Sequence, residues 1–397
     1  MTPNPVLSAL GRPFRLGIAG GASPSMIGPV HRVAATMDQR FTLDAAVLSS
    51  RPERARAEGR AIGVAEGRCY GSVEQMIEGE GLRDDGIEAL AIVTPNDSHA
   101  RYLRLALAAD LDVMIEKPLC NDLAEAVTLQ QAARASGCAV ALTHTYSGYP
   151  MVREMRARIL AGEIGATRLV QAEYLSGGLA TAVESAVDAD QRWRLKPDRS
   201  GPSLVLADIG THAHHLVSFA TGLPFASVSA EVGTLMPGRK VHDVAQVRFR
   251  LANGARGRLD ACNAAAGMSN HILLRVYGET GHMEWVHRNH GQLVIASLDG
   301  DRRMISSGQA NLTFDAQRST RLARPGHPEG LHEAIANLYC GLADMMLSRR
   351  GHPASDAPRL VPTISDGVAG LSFVAACLAS SAHGGAVVSL QTTSDHP

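Results

Sequence analysis

The run Leu111–Leu119, LDVMIEKPL, is apolar and β-compatible until it ends abruptly in Glu116, Lys117 and Pro118. A strand of this kind delivers an ammonium to its carboxyl end. In an open parallel α/β sheet, ligands bind in the crevice outside those ends, so a lysine there faces whatever the sheet holds. The same tripeptide also fits a solvated turn in which proline stops the ladder. A second stretch, DIGTHAHHLVSFATG over 208–222, has helical spacing, with Asp208 at its start and Gly222 as its stop. His212 lies four residues after Asp208, so both project from one face of the predicted helix. A histidine titrates near neutral pH, as a general acid/base must. Asp208 also fits a plain helix cap, and His212 a satisfied core histidine.

The elements that must position Lys117 form an alternating series. FRLGIAG from Phe14 reads as a strand that runs into Gly20, Gly21 and Ala22, and after Gly28 the segment PVHRVAATM reads as an amphipathic helix opened by Pro29. Strand, glycine turn and helix are the context of a phosphate-binding fingerprint, in which the backbone approaches a pyrophosphate whose charge meets the helix N-terminus. The pattern departs from G-x-G-x-x-G: Ala22 replaces the second glycine, and five residues precede the closing Gly28. A glycine-rich βα turn without a ligand fits it as well. Strands at 43–50, 86–95, around Leu111–Pro118 and at 139–146 alternate with helices at 51–63, 98–110 (Ser98 as N-cap) and 122–137. Apolar strands separated by helices predict a doubly wound parallel sheet. The second strand ends in Ser49, Ser50 and Arg51, with no carboxylate to repel a 2′-phosphate and an arginine to pair with one. That leans toward NADP, while Asp44 and Glu53 leave NAD open and Arg51 also fits a loop cap.

After Tyr146 the pattern changes. A helix over 151–165 and a strand over 166–175 precede a polar, irregular stretch, Ser176–Pro202, that holds Trp193. A connection of that length is usually a binding loop or a disordered one. Beyond the 208–222 helix, strands join by hairpins at Asn253-Gly254, Thr280-Gly281 and Asp299-Gly300. They predict a mostly antiparallel sheet that must bury its apolar face, its other face being a natural place for the helices at 151–165 and 208–222 or for another subunit. Helices follow at 329–347 and 364–382. The fold class is therefore α/β: an N-terminal Rossmann domain over 1–146 and, over 147–397, an α/β domain with a large, mostly antiparallel open sheet for substrate binding and oligomerisation.

At 397 residues the chain has length for two cores. Its 38 basic and 39 acidic residues nearly cancel and only 19% of residues are charged, which argues against a nucleic-acid or membrane-surface partner. No apolar run reaches the roughly 20 residues that span a bilayer, and the N-terminus carries too short an apolar stretch for a secretory signal, so a cytoplasmic protein is expected. Six cysteines without a C-x-x-C pair speak against a zinc cage or a disulfide framework, and sixteen histidines show no HExxH spacing, so no metal is expected.

Taken together, GIAGGASPSMIGPVHR (17–32), AIVTPNDSH (91–99), IEKPL (115–119), GEIG (162–165), the DIGTH run (208–212) and PTISDG (362–367) resemble the glucose-fructose oxidoreductase / inositol dehydrogenase / MocA (Gfo/Idh/MocA) family of NAD(P)-dependent oxidoreductases. The longer glycine loop closing on I-G-x-x-H-R is similar to one branch of that family. The resemblance implies Lys117, Asp208 and His212 as the catalytic set. Oxidation of a secondary alcohol needs a base for the hydroxyl proton, which suits His212, and a donor to the alcohol oxygen, which suits Lys117, with Asp208 orienting substrate or lysine. It further implies cofactor contacts at Gly20, Gly21, Ala22, Ser25, Ile27, Ser49, Ser50, Arg51, Thr94, Pro95, Asn96, His99, Glu116 and Lys117, with NAD or NADP as cofactor. Substrate contacts are expected from His144, Tyr146, Tyr149, Trp193, Arg194 and His215, of which the first three fit packing roles equally well. His327, in GHPEG, fits a helix-start turn better than a substrate contact. The implied substrate is a sugar, inositol or related polyol, and the implied assembly a homodimer or homotetramer. A redox-neutral, NAD-dependent glycoside-cleaving enzyme and a non-catalytic sensor are the alternatives on the same fold.

Overall fold

The computed structural model describes residues 4–185, 193–352 and 357–390. The chain divides into two compact units: the first comprises Met1–Cys120, Ala124–Gly148 and Leu331–Gly367, the second Asn121–Leu123, Tyr149–Gly330 and Val368–Pro397.

In the first unit a short helix, α1 (Pro5–Leu10), precedes β1 (Phe14–Gly20), α2 (Ile27–Met37), β2 (Phe41–Val47), α3 (Pro52–Ala61), α4 (Val73–Gly81), β3 (Ala89–Val93), α5 (His99–Ala108), β4 (Asp112–Ile115), α6 (Leu123–Ser136) and β5 (Val140–Leu142). The five strands run parallel in the order β2-β1-β3-β4-β5. Every residue of β3 and β4 is buried, which is why these strands read as unbroken apolar runs rather than alternating ones. Helix α4, which the sequence reading passed over, is hidden by its glycines and acids; Ser72 caps it by accepting from Gln75 N–H at 3.2 Å.

The second unit carries α7 (Pro150–Leu160), β6 (Leu169–Leu175), the one-turn α8 (Pro197–Ser200), α9 (Thr211–Thr221), β7 (Phe225–Gly233), β8 (Val244–Leu251), β9 (Arg256–Cys262), β10 (His271–Tyr277), β11 (Gly281–Val286), β12 (Gln292–Ser297), β13 (Arg302–Ser306) and α10 (Phe314–Arg318). The chain then returns to the first unit with α11 (Leu331–Arg349), and α12 (Ile364–Ala382) leads back into the second, ending in β14 (Val388–Ser389). The nine strands lie in the order β13-β12-β11-β10-β6-β9-β8-β7-β14. Among the described residues, β6 and β9 pair in parallel and every other neighbouring pair in this sheet is antiparallel, with the three expected hairpins joining β8 to β9, β10 to β11 and β12 to β13. Along β8, Ala245, Val247, Phe249 and Leu251 are buried while Gln246, Arg248 and Arg250 are exposed, the period-2 pattern of a sheet with one open face. Helices α7 and α9 cover the other face.

Two expectations need correction. The single boundary at 146/147 gives way to an interleaved division, because α11 packs on α2 through Tyr339, Leu342, Ala343 and Met346 within the core of the first unit. Arg349 at its end also lies 3.3 Å from the fully buried carboxylate of Asp112, a charge that β4 could not bury alone. The other concerns α12, which is long and apolar enough by length and composition to cross a membrane, contrary to the reading of the sequence. Its apolar positions Val368, Leu371, Phe373, Val374 and Cys377 are instead spent on a protein core.

The turn after β1 owes its shape to a backbone contact. Gly20 and Gly21 have φ of 88° and 79°, and a Cβ on Gly28 would stand 2.1 Å from the Gly21 carbonyl oxygen. The long loop therefore closes where Gly21 and Gly28 touch, which explains why glycine recurs there at a wider spacing than the short fingerprint has. Gly28→Ala is expected to lower unfolding free energy by roughly 1–3 kcal/mol and to weaken NADH binding, as read by urea unfolding and nicotinamide fluorescence; unchanged values for both would contradict this packing.

Candidate functional site

In the first unit, β1 pairs with β2 on one side and β3 on the other, so the chain leaves the sheet in opposite directions at this point and a crevice opens at the carboxyl ends. The glycine turn and the N-terminus of α2 sit at that switch point, and a Cβ on Gly20 would come within 2.5 Å of the Val93 carbonyl oxygen. The turn is held from three sides. Ala22 N–H donates to the Leu48 carbonyl at 3.1 Å, Arg32 donates to Gly21 O at 3.2 Å, and Gly28 N–H donates to Ser25 Oγ at 3.3 Å. Helix α3 clasps Ser23: its N–H donates to Glu58 at 3.1 Å and its carbonyl accepts from Arg54. Neither Arg54 nor Glu58 was singled out from the sequence; their i,i+4 spacing on a charged helix was the available signal. Ile27 opens α2, and Ala22, Ser25 and Ile27 are placed in or beside this turn. After β2, Ser49 Oγ accepts from Arg51 N–H at 3.2 Å and Arg51 stands exposed before Pro52, with Ser50 exposed beside it.

Thr94, Pro95 and Asn96 follow β3 in a tight turn. Ser98 does not cap α5 as expected; its Oγ lies 2.7 Å from Thr94 Oγ1 and 2.8 Å from the Pro95 carbonyl, because a turn of 3₁₀ helix precedes α5 and offers these nearer partners. His99, fully buried, bridges the ends of β3 and β4: Nδ1 is 2.8 Å from the Pro118 carbonyl and Nε2 is 2.8 Å from that of Thr94. Burial pushes its pKa down, against two carbonyls that favour the charged ring. Glu116, with a side chain 12% exposed, accepts from His31 of α2 at 2.9 Å. Burial would raise its pKa, but the His31 hydrogen bond and the electrostatic influence of His31, Lys117 and His99 outweigh burial and bring it below the ordinary value. The turn that carries Lys117 is thus anchored on either side, by His31 through Glu116 and by His99 through Pro118.

Composition adds a signal that the motif reading did not use. Lysine occurs only at positions 117, 196 and 240 among 38 basic residues, so arginine is the general surface cation of this chain and a lysine marks a site where a compact, titratable ammonium is wanted.

In the second unit, Asp208 and His212 lie on one continuous helical run, but Asp208 is not its cap. Leu206–Gly210 form a π-helical turn that feeds α9. Such single turns are frequent at functional sites. Asp208 lies 3.7 Å from Arg194, whose guanidinium stands 4.5 Å over the Trp193 ring, so these three expected residues come together. His212 is 8% exposed and packs beside Tyr174 at 6.1 Å between rings. Tyr174 OH donates to Asn270 Oδ1 at 3.3 Å, the Asn270 carbonyl is 3.1 Å from His287 Nδ1, and His287 Nε2 is 3.1 Å from Tyr149 OH. The carbonyl can only accept, so a neutral His287 donates through Nδ1 and accepts from the Tyr149 hydroxyl at Nε2. Tyr149 also packs on Trp285 and His290. Tyr174, Asn270 and His287 had no motif to reveal them, since three separate strand ends supply them. His215 is buried against Phe219. His144 and Tyr146 belong to the first unit, buried in and beside a turn that α11 covers, and His327 is exposed.

A doubly wound sheet with a glycine turn at its switch point and an anchored lysine at a strand end defines a dinucleotide-binding oxidoreductase. Residues 14–144 match the oxidoreductase family with an NAD-binding Rossmann fold, and residues 152–284 match the GFO/IDH/MocA C-terminal domain. The chain is 30% identical to the uncharacterized oxidoreductase YfiI of Bacillus subtilis, over 94% of this chain and 96% of that protein. An inositol dehydrogenase homolog from Azotobacter vinelandii, in complex with NAD+, superposes with a TM-score of 0.89 at 34% identity, covering 95% and 97% of the two chains. The same homolog with NADH and myo-inositol gives 0.87 at 33% identity, covering 95% and 98%. This protein belongs to the Gfo/Idh/MocA family and is an NAD-binding oxidoreductase.

His214 contrasts with His212. It lies between Phe225 and Phe373, at 4.5 and 4.7 Å between rings, and burial pushes its pKa down to about 3. The unfolded chain takes up the proton at its ordinary pKa, so the stability His214 provides is present above about pH 6.5 and is lost as pH falls toward 3. His214→Leu is expected to change stability by less than about 1.5 kcal/mol at neutral pH and to remove a penalty of roughly 2 kcal/mol near pH 5. Urea unfolding at both pH values checks this; parallel pH dependences in the two proteins would contradict it.

Proposed function

We propose that this protein is an NAD-dependent dehydrogenase that oxidises a secondary alcohol carbon of a sugar, inositol or related polyol. The observation that carries the reading is the presence of Lys117, Asp208 and His212 together in a chain 33% identical, over 95% of its length, to an inositol dehydrogenase homolog whose complex contains NADH and myo-inositol. The glycine turn, the α2 N-terminus and the ends of β1 and β3 fit a dinucleotide pyrophosphate. When bound, the nicotinamide supplies the hydride acceptor.

His212 takes the hydroxyl proton as hydride leaves the carbon. Its helix position four residues after Asp208 lets both groups meet one substrate. Lys117 donates to the alcohol oxygen and stabilises the charge that develops there. Asp208 orients the substrate, its charge offset by Arg194 at 3.7 Å. Trp193 offers an apolar face to a sugar ring, as aromatic rings do.

The experiment is a panel of myo-inositol, other inositols, sugars and glycosides with NAD and NADP, following absorbance of the reduced cofactor and release of aglycone in parallel. A dehydrogenase accumulates NADH with its substrate; aglycone release without net NADH would instead establish the redox-neutral glycosidase. Lys117→Ala and His212→Ala are expected to lose hydride transfer by about 10²–10⁴-fold, with NADH binding in His212→Ala unchanged. Wild-type turnover in either variant sinks the assignment of that residue.

A further inference from the structure

Helix α2 does more than present its N-terminus. Its inner face buries Val30, Ala34 and Ala35 among the sheet and α11, and in the middle of that apolar face stands His31, fully buried. Both ring nitrogens are occupied: Nδ1 lies 2.8 Å from Tyr339 OH and Nε2 lies 2.9 Å from Glu116 Oε1. Tyr339 comes from α11, more than 300 residues away, with its ring edge-on to His31 at 5.8 Å and to Phe41 at 5.7 Å. Burial and the Glu116 charge push the Tyr339 phenol upward, so it stays protonated and can donate. The carboxylate, held below its ordinary pKa, can only accept. With a neutral imidazole one arrangement satisfies all three groups: Tyr339 donates to Nδ1, and the Nε2–H of His31 donates to Glu116.

A polar chain through an apolar core costs desolvation at each group, and packing alone would be met at less cost by leucine and phenylalanine. What the chain achieves is directional. It fixes one oxygen of Glu116, and the peptide that follows Glu116 is the one that carries Lys117. We infer that His31 is a positioning residue for Lys117: held by Tyr339, it pins the Glu116 carboxylate to the dinucleotide-binding helix and so sets the direction in which the lysine ammonium is presented. His99 secures the far side of the same turn through Pro118, and the charged or titratable groups acting on Glu116 are His31, Lys117 and His99.

This inference rests on the reading of Lys117 as the donor to the substrate oxygen, and the test separates the two. With three lysines in the chain, reductive ¹³C-methylation of the full-length protein gives three side-chain signals besides the N-terminus, and Lys117→Ala identifies the one of interest. In His31→Ala the Lys117 methyl signal is expected to shift or broaden while those of Lys196 and Lys240 stay in place. His31→Gln, whose amide can donate to Glu116 and accept from Tyr339, is expected to restore it. Tyr339→Phe is expected to move it in the same sense, and this variant and His31→Gln carry the test if His31→Ala does not fold. With NAD and the substrate found in the panel, His31→Ala is expected to lose roughly tenfold to a hundredfold in kcat, with NADH affinity by fluorescence within about threefold of wild type, and His31→Gln to recover most of the loss. In the double variant with Glu116→Gln, the two losses should not add if the residues act through one hydrogen bond.

An unmoved Lys117 signal in a folded His31→Ala protein overturns the inference, as does a His31→Gln variant no better than His31→Ala. If the signal moves as expected but Lys117→Ala turns over substrate like wild type, the positional link stands and the catalytic reading of Lys117 fails. If Lys117→Ala is inactive while His31→Ala keeps both signal and kcat, the catalytic reading stands and this inference fails.

Discussion

A carboxylate cannot sit at the end of an interior strand without partners. Taking an ion out of water costs several kcal/mol even after relaxation, and only good hydrogen bonds return that cost. Glu116 occupies such a place, and much of the first unit can be understood as the means of keeping it there. Its partner must come from α2, so α2 must turn a histidine into an apolar face. That histidine needs a second partner at Nδ1, so a tyrosine must reach it from α11. The tyrosine ring is large, and Phe41 at the start of β2 shapes its slot. At the opposite end of β4 the same rule recurs with Asp112, fully buried, against Arg349 near the end of α11 and the Ala139 N–H at 2.7 Å. One helix thus closes the charge balance at both ends of one strand, through its own Arg349 directly and through Tyr339 by way of His31.

The second unit manages its histidines differently. His214 is sandwiched by phenylalanines and burial keeps it neutral, His215 is packed on Phe219, and His212 is buried beside Tyr174. Three histidines within four residues of one helix therefore meet three different sets of neighbours. The π-helical turn at Leu206–Gly210 feeds this helix and carries Asp208, which lies 3.7 Å from Arg194.

What could be read from the amino-acid order follows the range of the interactions. The strands of the parallel sheet were legible because burial on both faces leaves unbroken apolar runs. The three hairpins were legible because Asn253-Gly254, Thr280-Gly281 and Asp299-Gly300 carry their own turn chemistry. Lys117, Asp208 and His212 were legible as motif members. The membership of α11 was not, since its pattern says only that it is amphipathic and nothing in it names α2 as the surface it covers. Ser98 misled because a serine before a helix fits a cap equally well whether or not a tighter turn intervenes. The array of Tyr149, His287, Asn270 and Tyr174 was invisible for the same reason as Tyr339: residues drawn from distant elements leave no local period. His31 lay in plain view within the glycine-turn motif, three residues after Gly28, but its partners lie 85 and 308 residues further along.

The return of the chain to its first unit has a consequence for biosynthesis. Residues up to Gly148 supply all five strands of the parallel sheet, but the helix that covers α2 begins only at Leu331. At about 5–20 residues per second, a ribosome needs roughly ten to forty seconds to span that interval. Throughout it, the inner face of α2 has no α11, His31 has no tyrosine and Asp112 has no Arg349. A sheet formed in that interval has the apolar face of α2 uncovered and Asp112 held by the Ala139 N–H without the arginine until the late helix arrives. The order of elements along the chain thus makes the dinucleotide-binding unit, though first to be synthesised, among the last to be completed.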